Sequence, residues 1–173
     1  MTTTSFYYTT LKSPVGELKL VASDKGLTAI LWEDDNPKRV PLGENLTENP
    51  AHPVLVATAR QLTEYFAGTL EKFDLPLDFI GTDFQKKVWA ELVAIPFGET
   101  RTYGQLAEKI GNPKASRAVG AANGKNPISI IAPCHRVIGA DGTLTGFAGG
   151  LKAKALLLGI ESKKHAPEQA LLL

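Results

Sequence analysis

The sequence contains one cysteine in 173 residues. A single thiol excludes an intramolecular disulfide and a zinc site built from several cysteines, and it makes a reducing, cytoplasmic compartment the default expectation. No uninterrupted apolar run approaches the roughly 18 residues that a membrane span requires. The opening segment, MTTTSFYYTTLKSP, lacks the basic start and apolar stretch of a secretory signal. We therefore expect a cytoplasmic protein that does not enter a membrane.

The chain also has little net charge, because 19 Lys and Arg nearly balance 18 Asp and Glu. The distribution is uneven: residues 1–83 carry 7 basic and 12 acidic side chains, whereas residues 84–173 carry 12 and 6. This asymmetry favours the second half as the part that meets nucleic acid. On charge alone, two ordinary solvated surfaces remain the alternative.

Short β-branched or aromatic runs open the chain. FYYTTL, GELKLVAS and GLTAILWE, punctuated by Pro14, Gly16 and Gly26, predict a small meander. EDDNPKRVPLGENLTENP is polar and rich in Pro, Gly and Asn, which predicts a loop. AHPVLVATARQLTEYFAGTL has helical spacing and stops at Gly68, and EKFDLPLDFIGTD predicts an extended connector. We place a domain boundary after residue 81.

The second half is predicted to be mainly helical. Thr82 or Asp83 can cap a helix over FQKKVWAELVAI, whose apolar residues form one stripe. YGQLAEKIG predicts a short helix ending at Gly111, and KASRAVGAANG predicts another ending near Gly124. Two short helices joined by a Gly-Asn-Pro turn are typical of a helix-turn-helix, although an ordinary helical hairpin is the commoner source of this pattern.

The second of these helices has an unusual composition. Ala115, Ser116, Gly120 and further alanines leave one face almost without side-chain bulk, and Arg117 projects from it alone. A helix that enters a groove of DNA with one probing guanidinium has this form. A helix packed tightly in a core has it too, but Lys114 and Arg117 would then need solvent or partners.

The single cysteine, Cys134, lies in the segment IAPCHRVIG, directly after Pro133. A thiol with a pKa of about 8.5 is only slightly ionised at neutral pH, so a nucleophilic cysteine needs a neighbouring base or positive charge. His135 and Arg136 are adjacent and would favour a thiolate. Successive side chains of an extended segment point to opposite faces, however, so a Cys-His pair requires a turn here, which Pro133 favours.

A Cys-His pair also needs a third group to orient the imidazole. GGLKAKALLLGIE predicts a helix that opens after Gly150, contains Lys154 and ends at Glu161. Glu161 is the best carboxylate candidate, and Asp141 in the GADG turn is the weaker one. On these residues alone, an inert buried Cys134 and a catalytic Cys134 stay equally open.

Three stretches together carry a family resemblance: YGQLAEKIGNPKASRAVGAANGKNP, NPISIIAPCHRVIG and GFAGGLKAKALLLGIE. They closely resemble the O6-alkylguanine-DNA alkyltransferases, or methylated-DNA–protein-cysteine methyltransferases, over roughly residues 82–161, and bacterial Ogt-like members in particular. The resemblance implies an α+β protein. Residues 1–81 would form a small α/β, ribonuclease H-like supporting domain, and residues 82–173 a mainly helical domain with a winged helix-turn-helix and the active-site cysteine.

The resemblance also implies a role for each matching residue of the reaction centre. Cys134 is the nucleophile that takes the alkyl group from guanine O6. His135 draws off the thiol proton through a bound water, and Glu161 orients and charges that histidine. Asn126 braces the turn between the recognition helix and the active site, and Lys154 helps to stabilise the leaving base.

Further positions are implied to contact DNA. Tyr103 donates to the target base and crowds its phosphate, and Arg117 fills the gap in the stack after the nucleotide swings out. The helix that enters the minor groove would present Lys114, Ala115, Ser116 and Gly120. The pocket for the base would be formed by Val137, Phe147, Ala148 and Gly149, and the backbone of Cys134, Val137 and Ala148 would read the guanine edge.

The reaction that the resemblance implies is DNA repair by direct reversal. A monomer would take a methyl or larger alkyl group from O6-alkylguanine flipped out of double-stranded DNA, with O4-alkylthymine as a second candidate lesion. The thioether product is permanent, so each molecule reacts once. No cofactor is implied, and we expect no metal, because the zinc ligands of some relatives include cysteines that this chain lacks.

The sequence departs from the family pattern at two positions. Phe147 stands where a tyrosine is common, which removes a hydroxyl near the pocket and is expected to change lesion preference. Leu156 stands where many relatives have a tryptophan, two residues after Lys154, and we expect this to alter packing rather than chemistry.

Three other functions compete with this one. A cysteine hydrolase would need an oxyanion hole and would leave the basic second half and Arg117 without a role. A module that recognises alkylated bases without repairing them would lack the active-site cysteine that Cys134 supplies. A transcription factor switched by cysteine alkylation would carry an additional Cys-rich domain. The residues favour the alkyltransferase.

Overall fold

The computed structural model describes residues 5–43, 45–142 and 147–165, with side chains as far as residue 162. Residues 143–146, beside the predicted base pocket, lie outside the described residues. So does the segment from residue 166 onward, which makes up most of the tail SKKHAPEQALLL that we expected to be a surface appendage.

A four-stranded sheet forms the N-terminal half. Its strands are β1 (Phe6–Ser13), β2 (Gly16–Ser23), β3 (Gly26–Leu31) and β4 (Leu46–Glu48). The first three strands form the predicted meander, whose pairs are antiparallel, and the order across the sheet is β3-β2-β1-β4. Leu18 and Leu20 on β2 are fully buried and supply part of the core beneath the sheet.

The polar segment predicted to be a loop contains β4, so that prediction was wrong over three residues. β4 pairs in parallel with β1, which places Leu46 beside Phe6 and Glu48 beside Tyr8. The physical reason is tertiary: the outer edge of β1 would otherwise be an unpaired strand edge. Three residues carry too little periodicity to reveal such a strand in the sequence.

Five α-helices occur among the described residues: α1 (Pro53–Phe66), α2 (Asp83–Val93), α3 (Tyr103–Lys109), α4 (Ser116–Gly124) and α5 (Leu151–His165). Two short strands, β5 (Arg101–Thr102) and β6 (Val137–Ile138), pair in parallel. None of these helices is both long and apolar enough to cross a lipid bilayer.

The helix ends follow local sequence signals. Thr82, not Asp83, caps α2: its hydroxyl accepts from the Gln85 N–H, and the Gln85 side chain accepts from the Thr82 N–H. α1 stops before Gly68, which has a φ of 81°. α5 continues past its predicted end at Glu161, because no glycine or proline follows closely to stop it.

One hydrophobic core runs through both halves of the chain. It contains residues from the sheet, from α1, from α2 and from α5, including Ile30, Leu62, Trp89 and Leu157. The edge of β3 is covered by two later segments, since Leu27 N–H donates to the Pro76 carbonyl and Ile30 N–H donates to the Pro127 carbonyl, each at 2.8 Å. The N-terminal sheet therefore directly supports the segment that leads to Cys134.

Candidate active site

Cys134 begins a single 3-10 turn that ends at Arg136, immediately before β6. This is the turn that a Cys-His pair requires. Cys134 is only 4% exposed, and His135 and Arg136 are also buried. The reactive candidate therefore lies inside the protein rather than on its surface.

Asn126 holds the loop that leads from α4 to this turn. Its Nδ2 donates to the Ala132 carbonyl at 2.7 Å, and its Oδ1 accepts from the Ile128 N–H at 3.1 Å. Its own carbonyl accepts a hydrogen bond from Arg39 of the N-terminal half. This is the geometry that the predicted bracing role requires.

Within the braced loop, Ile130 has a φ of 76°. A β-branched residue in this left-handed region is strained by roughly 1–3 kcal/mol and persists only where its surroundings fix it. The side-chain hydrogen bonds of Asn126 span this position, and Ile130 is fully buried in the core. Backbone strain of this kind is concentrated at functional sites.

Glu161 on α5 is the partner of the imidazole. Its Oε2 lies 2.6 Å from His135 Nε2. The guanidinium of Arg136 binds both carboxylate oxygens, with Nε 2.7 Å from Oε1 and Nη2 3.0 Å from Oε2. The Tyr65 hydroxyl also donates to Oε2, at 2.6 Å. Of the two candidate carboxylates, Glu161 reaches His135, whereas Asp141 is exposed in its turn.

The charges of this cluster follow from its surroundings. Burial raises the pKa of Glu161, but the hydrogen bonds from His135 and Arg136, together with the positive charge of Arg136, outweigh burial and hold that pKa at about 2. Burial lowers the pKa of His135; Glu161 opposes that effect, while Arg136 and Lys154 add to it. At neutral pH Glu161 is therefore ionised and His135 is neutral.

The position of the histidine proton follows from these charges. An ionised Glu161 can only accept, so neutral His135 carries its proton on Nε2. The lone pair is then on Nδ1, which is buried and has no hydrogen-bond partner within the described part of the chain. Because Nδ1 makes no direct hydrogen bond to Cys134, the adjacent residue in sequence, a proton from that thiol would have to reach it through a water.

The thiol itself is not held in the ionised form. Burial raises the pKa of Cys134, and a side-chain hydrogen bond and the charges of Arg39 and Lys154 offset this only in part. The expectation that Arg136 favours the thiolate was wrong, because the turn directs its guanidinium to Glu161 instead. The resting protein therefore holds a thiol that must lose its proton during the reaction.

Lys154 lies buried beside this thiol. Its Nζ donates to the Val137 carbonyl at 2.6 Å. Burial lowers the pKa of Lys154, and the charge of Cys134 opposes that effect when the thiol is ionised. The ammonium group is thus close to the reaction centre, as its predicted role requires, and it also holds the backbone of the predicted base pocket.

Trp32, at the end of the N-terminal sheet, supports another part of that pocket. The ring of Phe147 meets it edge-on, with centroids 5.3 Å apart and planes at 70°. Gly149 approaches the same indole so closely that a Cβ there would lie 2.7 Å from it. The Trp32 Nε1 donates to Ser129 Oγ at 3.1 Å, and Ala148 is exposed.

Helix α4 and the two residues before it carry most of the predicted DNA-binding residues, since the helix begins at Ser116 and not at Lys114 as predicted. Lys114 and Arg117 are exposed, whereas Ala115, Ser116 and Gly120 are half-buried. The opposite face of α4 is packed inward by Val119, Ala122 and Asn123. The Trp89 Nε1 on α2 donates to the Ala122 carbonyl at 2.8 Å and fixes the helix in place. The outward face is therefore smooth apart from its basic side chains.

Tyr103 lies at the start of α3, where Thr102 caps the helix. Its half-buried ring rests on α4, because a Cβ added to Gly120 would lie only 3.7 Å from it. Tyr103 therefore lies next to the helix that carries Arg117, at a distance where even an added Cβ would make ordinary van der Waals contact.

The arrangement supports nucleophilic displacement. Cys134 supplies a buried thiol, and His135 supplies a free nitrogen that can accept its proton. Glu161 and Arg136 fix the imidazole from the far side. No group of three or more His, Cys, Asp or Glu side chains in the described ranges is placed to hold a metal ion.

Two family models match the two halves of the chain. Residues 6–79 match the ribonuclease-like domain of 6-O-methylguanine DNA methyltransferase, and residues 83–163 match its DNA-binding domain. The chain belongs to this family. Membership of the 6-O-methylguanine DNA methyltransferases confirms the resemblance, the fold class and the enzyme class: DNA repair by alkyl transfer to a protein cysteine.

Curated relatives agree over nearly the whole chain. A methylated-DNA–protein-cysteine methyltransferase of Mycolicibacterium paratuberculosis is 49% identical over 160 residues, covering 92% of this chain and 94% of the relative. One from Methanosarcina acetivorans is 50% identical over 155 residues, covering 90% and 97%.

Solved structures give the same result. Mycobacterium tuberculosis OGT, crystallised in complex with DNA, is 46% identical and superposes with a TM-score of 0.82 over 96% of this chain and 99% of that one. The O6-methylguanine-DNA methyltransferase of Pyrococcus kodakaraensis is 26% identical, with a TM-score of 0.63 over 90% and 98%.

Sequence reasoning missed the contributions of the N-terminal half to this candidate site. Tyr65 donates to Glu161 on α5, Arg39 donates to the Asn126 carbonyl, and Trp32 donates to Ser129 Oγ in the segment that leads to Cys134. Tyr65 fits an ordinary amphipathic helix and Arg39 lies in a polar loop, so neither carries a signal of its own. Arg136, in the second half of the chain, did carry a signal in the sequence, since a charged residue inside an apolar run implies a buried partner.

Proposed function

We propose that Cys134 is the alkyl acceptor and that the protein repairs O6-alkylguanine in double-stranded DNA, once per molecule. The observation that supports this most directly is the buried His135, whose Nδ1 has no partner among the described residues while its Nε2 is held by Glu161. An imidazole arranged in this way is ready to accept the proton of the adjacent thiol.

The proposed reaction is an in-line displacement at the alkyl carbon. As the Cys134 proton passes through a water to His135 Nδ1, the sulfur forms a bond to carbon and the bond from carbon to guanine O6 breaks. Glu161 stabilises the imidazolium that results. The electron pair of the broken bond stays on guanine, which Tyr103 protonates or hydrogen-bonds, and Lys154 stabilises the developing negative charge.

Access to the lesion requires the nucleotide to leave the duplex, at a cost of a few kcal/mol. We propose that α4 lies in the minor groove, because its outward face is nearly free of bulk while Lys114 and Arg117 are exposed. Arg117 then occupies the vacated place in the stack. Ala115, Ser116 and Gly120 let the helix backbone approach the DNA closely.

The flipped base is proposed to enter the space bounded by Val137, Phe147, Ala148 and Gly149. The close contact of Gly149 and Phe147 with Trp32 supports a rigid wall on one side. Asn126 keeps the strained loop in the conformation that presents Cys134. We further propose that the protein acts as a monomer in the cytoplasm, where a reducing environment keeps its one thiol free.

The number of alkyl groups transferred per protein molecule tests this proposal. Intact-mass spectrometry after incubation with an excess of O6-methylguanine duplex should find one added methyl group, located by peptide mapping on Cys134. Cys134→Ser should bind the same duplex and gain no mass. Repeated turnover, or a methyl group on another residue, would contradict the proposal.

A further inference from the structure

We propose that Tyr65, on α1 of the N-terminal half, is a positioning residue for alkyl transfer, because its hydroxyl donates to Glu161 Oε2 and so limits how strongly Glu161 attracts a proton to His135. This inference rests on the proposed function of His135 as the proton acceptor. It gives the ribonuclease-like half a direct part in the reaction centre.

Three donors converge on one carboxylate oxygen. His135 Nε2 and the Tyr65 hydroxyl both lie 2.6 Å from Glu161 Oε2, and Arg136 Nη2 lies 3.0 Å from it. Glu161 and Tyr65 are 96 residues apart in sequence, and both are shielded from solvent. A hydroxyl placed so close to the oxygen that binds the imidazole must compete with it for the same negative charge.

The Tyr65 ring is fixed by aromatic neighbours. Phe66, Phe73 and Phe97 surround it, with centroids 5.4, 5.5 and 6.3 Å away. Burial raises the pKa of Tyr65, and the charge and hydrogen bond of Glu161 raise it further, so the phenol keeps its proton and acts as a donor. The hydroxyl therefore reaches Glu161 from a ring that has little freedom to turn away.

The charged groups around His135 define the effect of removing this hydroxyl. Glu161 favours the imidazolium, while Arg136 and Lys154 disfavour it, and the Cys134 thiol is neutral at rest. α1 contributes the Tyr65 hydroxyl, whose positive end partly offsets Glu161. Without that dipole, the carboxylate attracts the imidazole proton more strongly, and His135 becomes protonated at a higher pH.

The consequence is a change in pH dependence rather than a uniform loss. A protonated His135 cannot accept the thiol proton, so the transfer rate falls on the acidic side of its titration. Tyr65→Phe should move that acidic limb to higher pH. We expect transfer at pH 5.5 to be about threefold or more slower than in the unmodified protein, and transfer at pH 8 to change by less than about twofold.

Thr58→Val is the matched control. Thr58 lies two turns earlier on α1 and is fully buried, and its hydroxyl donates to the Val54 carbonyl of the same helix, at 2.7 Å. Both variants remove one buried hydroxyl from α1 and keep the shape of the side chain. If loosening of α1 were the cause, Thr58→Val would change the rate in the same way as Tyr65→Phe.

Two further measurements separate the outcomes. NMR titration of the His135 ring in unreacted protein should show a higher midpoint in Tyr65→Phe, whether or not transfer is measured. Replacement of Tyr65 by 3-fluorotyrosine keeps the hydroxyl and makes it a stronger hydrogen-bond donor. The midpoint of the His135 titration should therefore move to lower pH in this variant. The same variant also provides the test if Tyr65→Phe folds poorly. Failure of the unmodified protein to transfer would refute the proposed function instead.

An unchanged His135 midpoint in both Tyr65 variants would overturn the inference. So would a rate loss in Tyr65→Phe that is equal at pH 5.5 and pH 8, since a purely structural role predicts that result. Supporting results are opposite midpoint shifts in the two variants, together with an unchanged midpoint in Thr58→Val.

Discussion

The Arg136 guanidinium and the Glu161 carboxylate form a two-point ion pair in the protein interior, with Nε–Oε1 at 2.7 Å and Nη2–Oε2 at 3.0 Å. The pair joins the cysteine turn to α5, and Arg136 also donates to the carbonyl of Ile95, two residues beyond the end of α2. The site is thereby attached to two helices through one side chain. Its integrity should depend on that pair.

Arg136→Met should lower the free energy of unfolding by about 3–5 kcal/mol, because it leaves the Glu161 charge buried without its guanidinium. Urea denaturation measures this. Arg101→Met is the control, since Arg101 pairs with Glu99 at 3.0 Å near the surface and should cost less than about 1 kcal/mol. Equal losses in the two variants would show that burial of the pair adds nothing.

Stability should fall in acid in two stages. The pKa of Glu161 is held at about 2 in the folded protein, below its unfolded value of 4.5, so its contribution of about 3 kcal/mol is present above pH 4.5 and is lost as pH falls toward 2. The pKa of His135 is also lower in the folded state than in the unfolded state. The unfolded chain therefore binds a proton on this imidazole first, and the free energy of unfolding begins to fall below about pH 6.5. Urea unfolding from pH 8 to pH 3 tests both, and a flat profile would contradict the assigned charges.

Asn126→Ala should destabilise the protein by about 2–4 kcal/mol, because it removes two buried hydrogen bonds from a loop that also contains the strained Ile130. It should also slow transfer, since the loop positions Cys134. Asn123→Ala is the matched control. The buried Oδ1 of Asn123 has no hydrogen-bond partner within the described part of the chain, so removing this side chain should lower the free energy of unfolding clearly less than Asn126→Ala does. Denaturant midpoints and transfer rates of both variants decide the matter.

Gly149→Ala should disturb the proposed base pocket, because its Cβ would lie 2.7 Å from the Trp32 ring. We expect transfer to slow about tenfold or more and the protein to lose about 1–3 kcal/mol of stability. Gly159→Ala on α5 meets open space and should be neutral or stabilise by up to about 1 kcal/mol. Single-turnover rates and thermal unfolding of the pair provide the measurement.

Arg117→Ala should slow repair of duplex DNA more than reaction with free O6-alkylguanine base, since only the duplex requires a filled gap. Lys87→Ala, exposed on α2, is a control that removes a positive charge elsewhere. If phosphate contacts dominate docking, the logarithm of the duplex affinity should decline linearly with the logarithm of salt concentration. Equal losses on both substrates would remove the proposed role of Arg117.

Much of the architecture could be predicted from local patterns. The meander, the Thr82 cap and the two short helices around Gly111 all carry signals within a few residues of one another. Glu161 was predicted because the helix after Gly150 contains few carboxylates to choose from. β4 was missed because its existence depends on the exposed edge of β1, which lies far away in sequence.

The contacts made by Arg136 and Tyr65 could not be predicted in the same way. The direction of the Arg136 guanidinium depends on the 3-10 turn, and that turn depends on hydrogen bonds from Asn126. Tyr65 meets Glu161 only because the shared core brings α1 and α5 together. Periodicity places both residues inside the protein, but it does not determine which polar group each one meets.

The link from His135 forward to Glu161, 26 residues later, also has a consequence for synthesis on the ribosome. The proposed nucleophile, Cys134, is translated before the helix that carries Glu161, so a partly made chain holds this sulfur without an oriented His135 beside it. Until α5 docks, His135 has no carboxylate to hold its ring, so a nascent molecule should be unable to carry out the proposed transfer, and only the finished fold becomes competent.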